Sequence, residues 1–427
     1  MRTMARSHGD LLSRQFQWTL CGAVAAGWAA LLVVILAHPI FVTNDSLSNY
    51  AHVWHVSESI SNGGFVPYHF PQLASGDALA YPYAFIPWTT AALLRPLLGD
   101  WATTLWLVVG LLLVVGATLW ALPELRRPLS LALVLANPVL VEAVILGQMP
   151  FLWAGAFLFG ALGAWRRKNW VLATAMATAC NTTHVAVVAP LLAVVVAAWF
   201  FREPGKRRLV VCYGVSVVLS LPAVAMVVLS PALQQSGTGV VITNFFGTVG
   251  WRALVVAAPF GALWLAKRSP SVGVLTVLVV LALNAVLVPV RGNDFAWGAL
   301  TRSTDDEMVP FLESSQFAPG RIYRVLRASD GKVSMYQTIQ HGGVLDSEFF
   351  PESIRRQNWE NRSDYVAFLA SRRVDFVVIF RSYDYRYKTN EHELLERMVA
   401  SDGDDHPAAT VVTRYPDFDV YQMTRKP

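Results

Sequence analysis

The chain has 427 residues, of which 54% are hydrophobic and 15% charged, and its mean hydropathy is +0.43. A soluble domain of average make-up carries about a quarter charged residues, so this composition excludes an ordinary soluble enzyme and points to a polytopic membrane protein. The net charge of +5 does not call for a nucleic-acid partner, because the basic residues gather at the ends of apolar runs, where membrane orientation accounts for them.

The first apolar run, 18–42, is long enough to cross a bilayer. Arg2, Arg6 and Arg14 precede it and put the N-terminus in the cytoplasm by the positive-inside rule. No small-residue cleavage site follows, so the run reads as a retained signal-anchor. It stops at Thr43-Asn44-Asp45-Ser46. A long extracytoplasmic connector follows, rich in aromatics, His and Pro. Within it, 51–60 predicts a short helix, ended by Gly63-Gly64 and Pro67. The 85–98 piece is apolar but short, and it carries Pro87 and Arg95-Pro96. It reads as an interfacial or re-entrant helix.

Residues 101–122 form a clean span that ends at Glu124-Leu125-Arg126-Arg127. The 129–146 run returns outward to Gly147-Gln148-Met149-Pro150. The 151–165 run goes back to Arg166-Arg167-Lys168, and 170–180 comes out to Asn181-Thr182-Thr183-His184. Residues 185–201 lead in to Arg202, Lys206, Arg207 and Arg208. The runs 209–229, 251–266 and 271–290 bring the total to about nine crossings on the length criterion. Each inner turn carries two or more Lys or Arg, and the outer turns carry few.

After 290 the composition becomes polar. The expected division is a transmembrane domain at 1–290, with its first extracytoplasmic loop at 43–100, and a small extracytoplasmic α/β domain at 291–427. In that domain 321–326, 333–337, 374–380 and 410–422 read as strands, and 363–372 and 390–400 as helices. Tyr415-Pro416-Asp417 reads as a hairpin turn.

Asp45 is the leading candidate for chemistry. It either caps a helix and marks the water interface, or serves as a general base or as a carboxylate that organises a metal or phosphate. His52 and His55, three apart, share one helix face. With Asp45 they lack the fourth ligand a zinc site needs, so interfacial histidines are the plainer reading. Asp77 reads as a turn residue. Gln148, Asn181 and His184 lie at outer span ends, where they either line a cavity or bond between helices. Glu142 is the one carboxylate inside a span. Arg95 and Arg252 lie on the outer side against the charge trend. They suit a lipid phosphate or snorkel to headgroups. Cys21, Cys180 and Cys212 read as small buried apolar residues. The sequence has no phosphate loop, no paired Cys-x-x-Cys and no His-Glu-x-x-His.

The first span ending in Asn44-Asp45, the loop with Tyr81-Pro82-Tyr83, and the 101–127 segment together resemble the GT-C fold of integral membrane glycosyltransferases. Ala136-Asn137-Pro138 and Gly147-Gln148-Met149-Pro150, followed by Arg166-Arg167-Lys168, extend the resemblance to the bacterial polyprenyl-phosphate-sugar-dependent branch, mannosyl- and arabinosyltransferases among them. It covers roughly residues 15 to 205. It implies Asp45 as catalytic base and a lipid-linked monosaccharide as donor. Asn44, His52, His55, Tyr83, Arg95, Gln148, His184 and Arg252 are the residues expected to meet substrate. The acceptor is then a glycan, lipid or protein outside the cytoplasm. No nucleotide is needed by that resemblance, and a cation, either Arg or a divalent metal, suits the departing phosphate. The chain departs from the family in its smaller number of spans and in Asn181-Thr182-Thr183-His184, which stands where a charged residue is often found. The alternative is a non-catalytic transporter or an assembly subunit for lipid-linked glycans. A transporter calls for ionisable groups at mid-membrane depth and for repeat symmetry. Apart from Glu142 the spans hold almost none.

Overall fold

The computed structural model describes residues 2–40, 46–67, 69–73, 78–79, 84–185, 188–201, 205–228, 253–265, 273–284, 308–326, 332–346, 359, 361–381, 389–400 and 409–424. It divides into two compact units, 1–41 with 81–300, and 42–80 with 301–427.

The first unit is helical. Its elements are α1 (Arg2–Ile35), then α3 (Phe85–Leu98), α4 (Trp101–Ala121), α5 (Pro128–Leu135), α6 (Pro138–Ile145), α7 (Met149–Arg166), α8 (Trp170–Thr183), α9 (Val188–Phe200), α10 (Lys206–Val228), α11 (Leu254–Leu265) and α12 (Gly273–Asn284); α2 (Ser46–Ser61) belongs to the second unit. The apolar part of α1, Arg14–Ile35, has 22 residues. At 1.5 Å per residue it spans about 33 Å, close to the hydrocarbon thickness of a bilayer. Trp101–Ala121 and Lys206–Met226 are equally long and apolar, so three described helices meet the length and composition for crossing, or four if the bent pair α5–α6 counts as one. The remaining expected crossings are shorter helices or run through residues outside the described ones.

Tight packing of α4 on α7 follows from small residues. A Cβ on Gly110 would lie 2.7 Å from Cδ1 of Trp153, and one on Gly163 would enter the Trp120 ring. Small residues let apolar helices approach where no hydrophobic drive separates them from lipid. The Trp153 indole N–H donates to the Trp106 carbonyl at 3.1 Å, and the Trp106 indole N–H donates to the Thr90 hydroxyl at 2.7 Å. Side chains of α7, α4 and α3 are thereby linked in one chain.

The expected continuous span 129–146 is instead two helices bent by 41°. Pro138 has no N–H to donate, and its ring clashes with the carbonyl four residues back. Three side chains satisfy the polar backbone this break exposes. The Trp28 indole donates to Leu135 O at 2.8 Å, and the Asn284 amide donates to Ala136 O at 2.6 Å. Asn137 accepts from the Val139 N–H at 3.1 Å and donates to Leu254 O at 3.1 Å. Irregular backbone in a membrane helix persists only with such partners.

The second unit is α/β. Beside α2 it contains α13 (Val309–Leu312), α14 (Lys332–Gln340), α15 (Arg362–Ser371) and α16 (Glu391–Val399). Its strands are β1 (His69–Phe70), β2 (Ala78–Leu79), β3 (Ile322–Leu326), β4 (Val344–Leu345), β5 (Phe376–Phe380), β6 (Ala409–Arg414) and β7 (Phe418–Met423). Strands β1 and β2 form a small antiparallel pair. The main sheet runs β4-β3-β5-β7-β6, with β3 parallel to both β4 and β5, and with β7 antiparallel to both β5 and β6. All five residues of β5 are buried, as a near-continuous apolar run covered on both faces requires. The β6–β7 hairpin turns at Tyr415-Pro416-Asp417, where the sequence predicts it.

Two expectations change here. Residues 333–337 are helix α14, not strand, and 333–339 are buried without a break. Burial all round removes the apolar periodicity that separates helix from strand. The connector helix α2 starts at Ser46, five residues earlier than expected, and ten of its sixteen residues are buried. It packs on the C-terminal part of its own unit: the Tyr50 and Tyr336 rings are 6.1 Å apart, and the Leu345 N–H donates to the Gln72 carbonyl at 2.8 Å.

Candidate functional site

Helices α7 and α8 form a hairpin joined by Arg167–Asn169, so Gln148 and His184 flank its open end. Pro150 in the first turn of α7 and the Asn181-Thr182-Thr183 step closing α8 set these positions. Gln148 is the residue before α7 and is 7% exposed. His184 follows α8 and meets Phe151 edge-on at 5.8 Å. Asn181 and Thr183 on the last turn of α8 are buried. The Thr183 hydroxyl oxygen is buried with no hydrogen-bond partner among the described residues. Glu142 lies on α6, beside Val141, which packs with Ile145 and Leu31. The structure thus brings Gln148, Asn181 and His184 to one end of one hairpin. The opposite end carries Arg166, Arg167 and Lys168.

Arg95 forms an ion pair with Asp100 at 3.5 Å, and both side chains are largely buried. The guanidinium bridges the end of α3 and the residue before α4. Asn44, Asp45, Tyr83, Arg252 and Asp77 lie outside the described residues.

His52 and His55 lie on α2 in the second unit and are both buried. His52 Nδ1 bonds the Ser48 carbonyl at 2.7 Å, and its ring meets Phe70 edge-on at 5.3 Å. His55 stacks flat on Phe70, with centroids 4.2 Å apart, and its Nε2 bonds the His69 carbonyl at 2.8 Å. Each histidine therefore commits one ring nitrogen to a backbone carbonyl. Burial lowers the His55 pKa from its ordinary value, and the bond to His69 only partly opposes this.

The sequence reading missed two charged clusters in this unit. Arg324 sits in the middle of β3 and is 1% exposed. Its Nε and one terminal nitrogen donate to the two Glu391 oxygens at 3.2 and 3.1 Å, and the other terminal nitrogen donates to Asp346 at 3.1 Å. The Tyr365 hydroxyl donates to Glu391 at 2.9 Å. Burial opposes the Arg324 charge, but Glu391 and Asp346 outweigh it and hold the group well above its ordinary range. A lone Arg within Ile-Tyr-Arg-Val-Leu was the available signal.

The second cluster is His392, Glu396 and Asp419, whose ligand-type atoms lie within 4.8 Å of one another. Two arginines occupy the same ground. Arg414 contacts both Glu396 oxygens at 2.9 and 3.0 Å and lies 3.7 Å from Asp419, and Arg381 is also 3.7 Å from Asp419. Burial raises the Glu396 carboxyl, but hydrogen bonds from Tyr421 and Arg414 outweigh that and hold it below its ordinary value. Guanidinium groups already neutralise these carboxylates, so the cluster suits an ion-pair lattice better than a divalent cation.

No protein-family model matches the sequence, and no curated protein matches it. Among solved structures, ArnT from Cupriavidus metallidurans is similar, both bound to undecaprenyl phosphate and in the apo state. In each case the likeness covers 93% of this chain and 98% of that chain, at 14% identity and a TM-score of 0.47.

Proposed function

We propose that the chain is an integral membrane glycosyltransferase that transfers a sugar from a polyprenyl-phosphate donor to an extracytoplasmic acceptor, with Asp45 as general base. The resemblance of 15–205 to GT-C enzymes supplies the reaction class. The observation that carries the reading is the built state of the first connector. Helix α2 begins at Ser46, the residue after Asp45, and is mostly buried. A connector that merely joined two spans would be short and hydrated.

In an inverting transfer the carboxylate takes the proton of the acceptor hydroxyl as that oxygen attacks the anomeric carbon, and the lipid phosphate leaves from the opposite face. One carboxylate is enough, because phosphate is already a competent leaving group. A cation near that phosphate stabilises the developing charge. With Arg95 paired to Asp100, Arg252 is the remaining outer-side arginine of the two considered. Gln148 and His184 serve as polar contacts for the sugar or phosphate.

Reconstituted protein supplied with a polyprenyl-phosphate sugar should release the lipid phosphate in step with product. Donor turnover that needs no acceptor, or none under any donor, argues against transfer.

A further inference from the structure

Between α7, α8, α9 and α10 the first unit holds a partly open apolar groove with about 50 Å³ of free space, lined by Trp165, Ala177, Leu192, Trp199, Leu209 and Tyr213 among others. The groove is neither at the Gln148–His184 end nor made of its residues. It lies toward the far end of α7, where its lining residues Ala161, Leu162 and Trp165 stand about 18–24 Å along the helix from Met149 at 1.5 Å per residue.

Exposed cations rim it. Lys206, Arg207 and Arg208 open α10 in the turn before Leu209, and Lys168 closes the α7–α8 turn. The Lys206 ammonium sits 5.3 Å from the Phe200 ring, and the Arg208 guanidinium 5.8 Å from the Trp170 ring. Phe200 and Trp170 pack into the same cluster as Trp165, Leu209 and Trp199, which form the groove wall. Lys206 and Arg208 are therefore tied to its mouth through the rings they stack on. Arg166 and Arg167 are engaged elsewhere, with Glu124 and with the carbonyls of Ala121, Trp120 and Gly163.

We infer that this groove binds one anionic phospholipid, with an acyl chain along the apolar wall and the phosphate on Lys206, Arg207 and Arg208. Basic pockets between membrane helices on the cytoplasmic side take acidic headgroups. An acyl chain needs an apolar channel, and the phosphate needs cations at its mouth. The four exposed cations Lys168, Lys206, Arg207 and Arg208 favour an anionic over a zwitterionic lipid. The inference concerns the basic end of the bundle and stands whether or not the chain transfers sugar.

The test is native mass spectrometry of the full chain in detergent, titrated with phosphatidylglycerol or phosphatidylcholine. The expected result is one phosphatidylglycerol bound at least about tenfold more tightly than phosphatidylcholine. The exposed triple variant Lys206→Gln, Arg207→Gln, Arg208→Gln should lose that preference while its lipid-free melting temperature stays unchanged. Ala177→Phe, which fills the groove, should weaken both lipids. If Ala177→Phe fails to fold, a lysolipid with a short chain should bind more weakly than its long-chain form. An undiminished preference in the triple variant, or equal binding of both lipids by the wild type, would overturn the inference. So would full competition by glycerol phosphate, which has no acyl chain, or one-for-one displacement by polyprenyl phosphate.

Discussion

Arg324 and Glu391 are joined by two parallel hydrogen bonds at 3.2 and 3.1 Å, with both side chains no more than 2% exposed. Asp346 completes the triad at 3.1 Å. Removing one partner of a buried pair leaves an uncompensated charge, which costs about 3–5 kcal/mol. Glu391→Gln keeps the shape and removes the charge. It should lower the thermal midpoint of the second unit by several degrees in detergent, and a midpoint equal to wild type would contradict this. A cycle pairing Arg324→Met with Glu391→Leu should show strong coupling, because the two changes are not independent.

His55 makes the stability of the second unit depend on pH. Burial lowers its pKa in the folded protein, while the unfolded chain titrates near the ordinary value of about 6.5. Below that value the unfolded chain binds more protons than the folded one, so stability falls as the pH drops. The loss begins near the unfolded pKa and levels off below the folded one. Denaturant midpoints between pH 8 and 5 should fall in the wild type and flatten in His55→Gln. Equal slopes in both would show that another group carries the dependence.

The α4–α7 contact should tolerate no side chain at Gly110, where a Cβ would stand 2.7 Å from Trp153. Overpacking of this kind costs about 1–3 kcal/mol. Gly110→Val should reduce the yield of monodisperse protein in detergent, whereas Gly116→Val, with nothing within 4 Å, should not. Equal yields would mean that the two helices move apart without cost.

At the break between α5 and α6, Asn284→Ala leaves the Ala136 carbonyl without its 2.6 Å donor. An unsatisfied buried acceptor costs about 1–3 kcal/mol. The thermal midpoint should fall, and Asn284→Leu, which fills the space but offers no donor, should not restore it. A full rescue by Leu would show that the donated hydrogen bond contributes nothing.

Much of the helical unit is legible in the sequence because apolar length and terminal charge are local signals. The hairpin from Met149 to Thr183, with cations at one end and Gln148 and His184 at the other, could be read from the spacing alone. The break at Pro138 was present as Asn137-Pro138, but the apolar run masked it. Helix α14 was misread because Val333, Tyr336 and Thr338 favour strands and its burial leaves no stripe to count; packing overrides propensity there. The association of Tyr50 with Tyr336 joins residues nearly three hundred positions apart, and no local pattern encodes it. Only Arg324 within its apolar run was a local signal of the triad, since Asp346 and Glu391 lie 22 and 67 positions away.

The role of Asp45 as general base is tested by one comparison. Asp45→Asn and Glu142→Gln are assayed side by side for sugar transfer from a polyprenyl-phosphate donor, each checked for folding and for donor binding. General-base assistance contributes typically about 10²–10⁴-fold. Asp45→Asn should lose transfer by that order with donor binding kept, and Glu142→Gln should transfer at near the wild-type rate. Undiminished transfer in Asp45→Asn would contradict that role.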